Sequence, residues 1–223
     1  MRVLLVGGLG SIGYTLCSQL IEEEIEVFAL DNISNDHDEK EEKLLQIGRN
    51  AFFQYSSLDT DYRVEKEKFN VIIYCLYDPI DRQGNLNMEN DMELMEKHLK
   101  NALEYCNEYG SKFILISGST ESENQFSETD NEKKSSCDNG DEKLYFIQEQ
   151  LVTEAFKDKD EQFSIVRLNF DDIERENGNQ VSTFYLYKTK EKSNFQIITS
   201  SEDTGEESDI FTEWLKNNWN KED

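Results

Sequence analysis

The sequence predicts an α/β protein built on a doubly wound parallel sheet, and three observations carry that prediction. Six short apolar runs, "RVLLVG", "EVFALD", "AFFQYS", "NVIIYCLY", "KFILIS" and "FSIVRLNF", recur between polar segments, each rich in the Val, Ile, Phe and Tyr of buried strands. Amphipathic helical patterns separate several of them. Four glycines, Gly7, Gly8, Gly10 and Gly13, crowd into seven positions where the first run gives way to the first helical pattern. Strand and helix alternating over about 170 residues is the arrangement that puts helices on both faces of a parallel sheet.

The elements follow in order. After the first run, Ile12–Ile21 ("IGYTLCSQLI") places Ile12, Leu16, Leu20 and Ile21 on one helical face. The second run closes on Asp31, and "NISNDHDEKEEK" (Asn32–Lys43) reads as a charged connector. Pro79 follows the fourth run, where a loop is expected. Met92–Tyr109 aligns Leu99, Leu103 and Cys106, and Leu144–Phe156 aligns Leu144, Ile147, Leu151 and Ala155. Between the fifth run and that last helix, Glu121–Lys143 is polar and long for a loop, which makes it either a mobile segment or a lid. No internal repeat is visible.

Composition narrows the functions. At 223 residues the chain is one domain, or one with a small appendage, and can bury a real core. Forty-eight acidic against 23 basic residues give a formal net charge of -25. That field repels nucleic-acid phosphates and anionic membrane, while a basic protein partner would be attracted. A solvated acidic surface is the plainer reading. Thirteen Phe and ten Tyr argue against disorder. Cys17, Cys75, Cys106 and Cys137 have no metal-ligand spacing, and the first three sit among apolar residues as small core side chains. The chain opens directly into a strand, with no apolar leader and no membrane-length run, so a cytoplasmic location is expected. His37 between Asp36 and Asp38, His98 near Glu96, and the acidic runs Glu22–Glu24 and Asp36–Glu42 lack the spacing of a dedicated cation site, and no metal is expected. Neither histidine has a predictable approach to Ser119, so no nucleophilic triad is read.

The glycine spacing, Gly7-x-x-Gly10-x-x-Gly13, has a physical purpose. A helix N-terminus gathers unpaired N–H groups and the positive end of a dipole, so a pyrophosphate docks there. Glycines let the chain turn sharply, admit the phosphate and pack helix against strand. Asp31 ends the second strand eighteen residues after Gly13, where a carboxylate suits the ribose diol of NAD and repels the 2′-phosphate of NADP. No arginine follows it closely, so the expected dinucleotide is NAD(H). A glycine-rich turn kept for packing alone is the competing account.

"VLLVGGLGSIGYTL…VFALDNIS" resembles the opening of the extended short-chain dehydrogenases/reductases, the NAD-dependent sugar-nucleotide epimerase/dehydratase family, whose pattern is T-G-x-x-G-x-I-G and a strand ending D-N. Val6 replaces the threonine. "SKFILISGST" resembles the strand carrying the family's catalytic Ser/Thr, with Ser119 at that position, and "EQLVTEAF…FSIVRLNF" resembles the helix and strand after its catalytic tyrosine. "VSTFYLYKTKEKSNFQIITSSEDTGEESDIFTEWL" resembles the start of its substrate lobe. The resemblance covers nearly the whole chain, with motifs that fade after Asn32. It implies a Rossmann-type NAD(P)-binding domain over 1–178 and a remnant of the substrate lobe over 179–223, a lobe about a hundred residues shorter than is usual for such domains. It also implies cofactor contacts from Gly7, Gly10, Ser11, Ile12, Gly13, Asp31, Asn32, Ser57 and Leu58, and a dinucleotide or nucleotide-sugar ligand.

Chemistry of the family type needs Y-x-x-x-K, in which the lysine makes the tyrosine a proton carrier and holds the nicotinamide ribose. "DEKLYFIQEQLV" lacks it. One alignment puts Asp141 at the tyrosine position and Tyr145 at the lysine position; the other puts Tyr145 and Glu149 there. Neither supplies the cation, and a carboxylate beside a phenol opposes its ionisation. Lys143 is offset from Tyr145 on a helix and points elsewhere. Where the family has an aspartate on adenine, this chain has Ser57 followed by Leu58, and two small residues after the fourth strand become Leu76 and Tyr77. Those two would either narrow the groove or stack on a ligand. The resulting expectation is a binding or regulatory module with Ser119 and Tyr145 left at the old catalytic positions. An unorthodox NAD-dependent epimerase, dehydratase or reductase, or a fold kept only as an interaction surface, are the alternatives.

Overall fold

The computed structural model describes residues 1–33, 39–64, 68–77, 88–119, 140–157, 159, 162–169, 175–176, 179–180, 182–187 and 195–199, with side chains left aside at 64, 88–91, 119, 140–142 and beyond 166. Six parallel strands form in the predicted places: β1 (Arg2–Val6), β2 (Glu26–Asp31), β3 (Phe53–Ser57), β4 (Val71–Tyr74), β5 (Lys112–Ser119) and β6 (Phe163–Asn169). Their spatial order, β3-β2-β1-β4-β5-β6, reverses direction between β1 and β4, the position where such sheets open a crevice at their carboxyl ends. The register runs Val3 beside Val27 and Val71, then Val71 beside Lys112. This is the Rossmann-like, doubly wound arrangement that the sequence predicts.

Four helices cover the sheet: α1 (Ser11–Glu22), α2 (Glu39–Ile47), α3 (Met88–Tyr109) and α4 (Gly140–Ala155). Strand alternation sends Val3 and Leu5 to one face with Ile12, Leu16 and Leu20 of α1 and Ile47 of α2. Leu4 and Val6 go to the other face, with Leu99 and Leu103 of α3 and Leu144 and Val152 of α4. Cys17, Cys75 and Cys106 are buried free thiols, as small core side chains should be. Burial pushes the Cys17 and Cys106 thiols far above their ordinary range.

Two features differ from the sequence reading. The charged connector contains a helix: α2 begins at Glu39, inside Asn32–Lys43, with Glu39, Glu41 and Glu42 at the dipole-favoured N-terminal end. Beyond β6, a short hairpin of β7 (Arg175–Glu176) and β8 (Asn179–Gln180) precedes β9 (Ser182–Tyr187) and β10 (Phe195–Thr199). β9 pairs antiparallel with β6, and β10 with β9, which extends the sheet to eight strands. Cys137, His37, Pro79 and all but the end of Glu121–Lys143 lie outside the described residues. No described helix is long and apolar enough to cross a membrane.

Candidate dinucleotide site

The first strand turns into α1 through the glycine segment. Gly7 adopts φ 89°, a left-handed conformation, and donates its N–H to the Leu30 carbonyl at 2.8 Å. A Cβ on Gly7 would lie 2.6 Å from both the Cys75 carbonyl oxygen and Leu76 Cα, so the turn rests on the backbone at the end of β4. A Cβ on Gly13 would collide with the Gly7 carbonyl oxygen. These two glycines are required for the backbone to fold back on itself. Gly10 is the residue that caps α1, extended at φ -62° and ψ 171°, and as a glycine it offers the helix no side-chain cap. The first turn holds no acidic residue, so its own side chains do not neutralise the positive end of the dipole. Ser11 and Ile12 open that turn.

The strand ends beside it gather the other predicted residues. Asp31 is 2% exposed, and its Oδ2 accepts the Leu9 N–H at 2.8 Å, which ties β2 to the glycine turn. Its Oδ1 accepts the Asn32 N–H at 2.8 Å and a hydrogen bond from Lys40 Nζ at 2.9 Å. Asn32 bridges to β3, its Oδ1 accepting from the Leu58 N–H at 3.2 Å and Ser57 Oγ at 3.3 Å. Leu58 is buried in the core on the α3 side. Tyr55 donates to the Asp31 carbonyl at 3.0 Å, and burial together with Asp31 raises its ionisation above the ordinary range. Gly7–Gly13, Asp31, Asn32, Ser57 and Leu58 are thus one continuous hydrogen-bonded rim across the carboxyl ends of β1, β2 and β3.

On the other side of β1 the geometry is less like a relay. Tyr145 is buried, and its hydroxyl donates to the Tyr77 carbonyl at 3.3 Å. The Tyr77 ring packs in the core on the α3 and α4 side rather than lying in an open groove, and Leu76 packs partly against the same cluster. One helical turn after Tyr145, Glu149 accepts a hydrogen bond from Ser117 Oγ at 2.7 Å. Ser117 is 1% exposed and shares a face of β5 with Leu115. Buried Gln148, between them on α4, has no hydrogen-bond partner for its Nε2. Ser119 closes β5 in register with Asn169, and its side chain lies outside the described residues. No described cluster of His, Cys, Asp and Glu is arranged to hold a metal ion.

Two of these residues were not singled out from sequence as parts of the site. Lys40 lay in a run of alternating charges with no period to mark it. Ser117 carried a signal that went unread: alternation along "ILISGS" aims it at the helix that follows, as it aims Leu115.

The model of the NAD dependent epimerase/dehydratase family matches residues 3–169, three quarters of the chain. No curated protein sequence matches it. Among solved structures, UDP-glucuronic acid 4-epimerase from Bacillus cereus in complex with NAD is 17% identical, with 70% of this chain and 53% of that one covered and a TM-score of 0.53. The UDP-Glc/GlcNAc 4-epimerase from Campylobacter jejuni is 21% identical over 74% of this chain and 52% of its own, at a TM-score of 0.50. A yeast methylglyoxal/isovaleraldehyde reductase complexed with NADPH is 15% identical over 76% and 57%, at a TM-score of 0.52. At such identities the likeness is one of fold, and this chain spans little more than half the length of those proteins. By its family match, carried on the glycine turn and the strand order just described, the chain belongs to the NAD dependent epimerase/dehydratase family.

Proposed function

We propose that this protein binds a nicotinamide dinucleotide across the carboxyl ends of its first four strands and serves as a binding or regulatory module, without the family's tyrosine–lysine chemistry. The observation that carries the proposal is the hydrogen-bonded rim joining the Gly7–Gly13 turn, Asp31, Asn32 and Leu58 beside the N-terminus of α1. The pyrophosphate would lie against the first turn of α1, and the adenosine over Asp31, Asn32, Ser57 and Leu58. Loss of chemistry is supported on the β4 and β5 side. Glu149 stands one turn after Tyr145, where a working pair would place a cation, and is held by Ser117. The Tyr145 hydroxyl is engaged by a backbone carbonyl. A nucleotide sugar is the second ligand class to examine, because solved relatives include an epimerase in complex with UDP-glucuronic acid and NAD. Buried free thiols at Cys17, Cys75 and Cys106 suit a reducing compartment such as the cytoplasm.

Titration calorimetry of the pure chain with NAD and NADH should give saturable binding. NADH absorbance and product analysis with a panel of nucleotide sugars and keto-sugars should then show neither redox nor epimerisation. Saturable turnover that Tyr145→Phe abolishes in a folded protein would replace the module reading with that of an unorthodox epimerase, dehydratase or reductase. Absence of dinucleotide binding would leave only an interaction surface.

A further inference from the structure

Asp31 is the residue a ribose diol would seek, yet its carboxylate is already well supplied. A carboxylate offers about four acceptor positions, and the Leu9 N–H, the Asn32 N–H and Lys40 Nζ take three of them. Two of those donors are backbone and fixed. The third is a flexible side chain 28% exposed, arriving from α2 at 2.9 Å, so its charged head reaches both the buried carboxylate and water. A diol arriving at Asp31 finds one acceptor position open, on Oδ2, and must displace this ammonium from Oδ1 to make a second hydrogen bond.

A 2′-phosphate meets the opposite situation. Beside a lone buried carboxylate it would be repelled, and that repulsion is the usual reason an acidic strand end excludes NADP. With Lys40 at the same corner the carboxylate's charge is matched, and the ammonium can turn on its four-carbon stem toward the phosphate. The geometry points to Lys40 as the specificity-determining residue of the adenosine end: it weakens the hold of Asp31 on the ribose of NAD and admits the 2′-phosphate of NADP. This rests on the dinucleotide reading and adds to it which dinucleotides the site accepts. It departs from the expectation of NAD(H) alone, which rests on Asp31 facing the adenine ribose and on the absence of a closely following arginine.

The test compares NAD, NADP, ADP and 2′,5′-ADP by calorimetry on the full chain and on K40M, which keeps the apolar stem, and K40R, which keeps the charge. The wild-type dissociation constants for NAD and NADP should lie within about tenfold of one another. In K40M, NAD and ADP should bind more tightly and NADP and 2′,5′-ADP more weakly, raising the NADP-to-NAD ratio of constants by about tenfold or more, as losing a charge-assisted hydrogen bond does. K40R should keep the wild-type ratio. A ratio in K40M within threefold of wild type, with the melting temperature unchanged, overturns the assignment while leaving dinucleotide binding intact. Failure of all four ligands to bind wild type overturns the dinucleotide reading and this inference with it.

Discussion

His98 shows how one side chain can link pH to the rim of the site. It is buried on α3, its Nε2 has no hydrogen-bond partner, and Asp59 Oδ1 lies 3.9 Å away, one residue past Leu58. Burial lowers its ionisation from the ordinary 6.5, neighbouring Lys97 lowers it further, and Asp59 opposes both. Lys97 itself holds Asp59 at 2.8 Å and keeps that exposed carboxyl below its usual range. Because His98 takes up a proton less readily when folded, the unfolded chain binds more protons just below pH 6.5, and this share of stability falls as the pH drops from there. The Asp59 share is lost only below the ordinary carboxyl value of 3.8, a separate window. His98→Gln should therefore flatten the urea midpoint against pH between about 6.5 and 5 relative to wild type. Parallel profiles would mean that His98 does not titrate differently in the folded state. At this scale the sequence told much about Asp31, whose place at a strand end is readable, and nothing of Lys40, whose role depends on where α2 lies in space.

Helix ends explain both what was readable in the elements and what was not. α1 finishes with the N–H of Ile25 bonded to the Leu20 carbonyl and that of Glu24 to the Ile21 carbonyl, the paired bonds of a Schellman motif. The motif demands a left-handed residue, and Glu24 supplies it at φ 57°. α3 also ends on a left-handed residue, Gly110 at φ 73°, whose N–H makes a single bond to the Cys106 carbonyl at 2.9 Å, with glycine where the geometry wants it. Glu24→Gly should raise stability by about 1 kcal/mol in chemical denaturation, since it relieves the left-handed strain and thins an acidic run. A loss of stability would show that the Glu24 side chain contributes more than its backbone costs. α1 and α3 were legible because each has a full apolar stripe. α2 was not, since of its nine residues only Ile47 is buried and its charges mask the period.

For the molecule as a whole, six parallel strands were written in the sequence as continuous apolar runs, because both faces of the sheet are covered. The antiparallel addition of β9 and β10 was not, because those strands carry mixed polar and aromatic residues with no strict alternation. A net charge of -25 on a chain this size stores repulsion in the compact state. Thermal unfolding should move upward by several degrees as NaCl is raised from about 0.01 M to 0.15 M, where the screening length falls from about 30 Å to 8 Å. A melting point indifferent to salt over that range would mean that local ion pairs already offset the acidic field.

The central position of β1 bears on how the chain is born. Arg2–Val6 leaves the ribosome well before Val71–Tyr74, which pairs with one of its two edges. At about 5–20 residues per second, some seconds pass before that partner emerges. Through that interval Leu4 and Val6 also lack the helices that bury them. A nascent chain stalled before β4 is therefore a sticky, half-paired strand, and chaperone capture should be greatest on ribosomes halted there and decline once β4 is out.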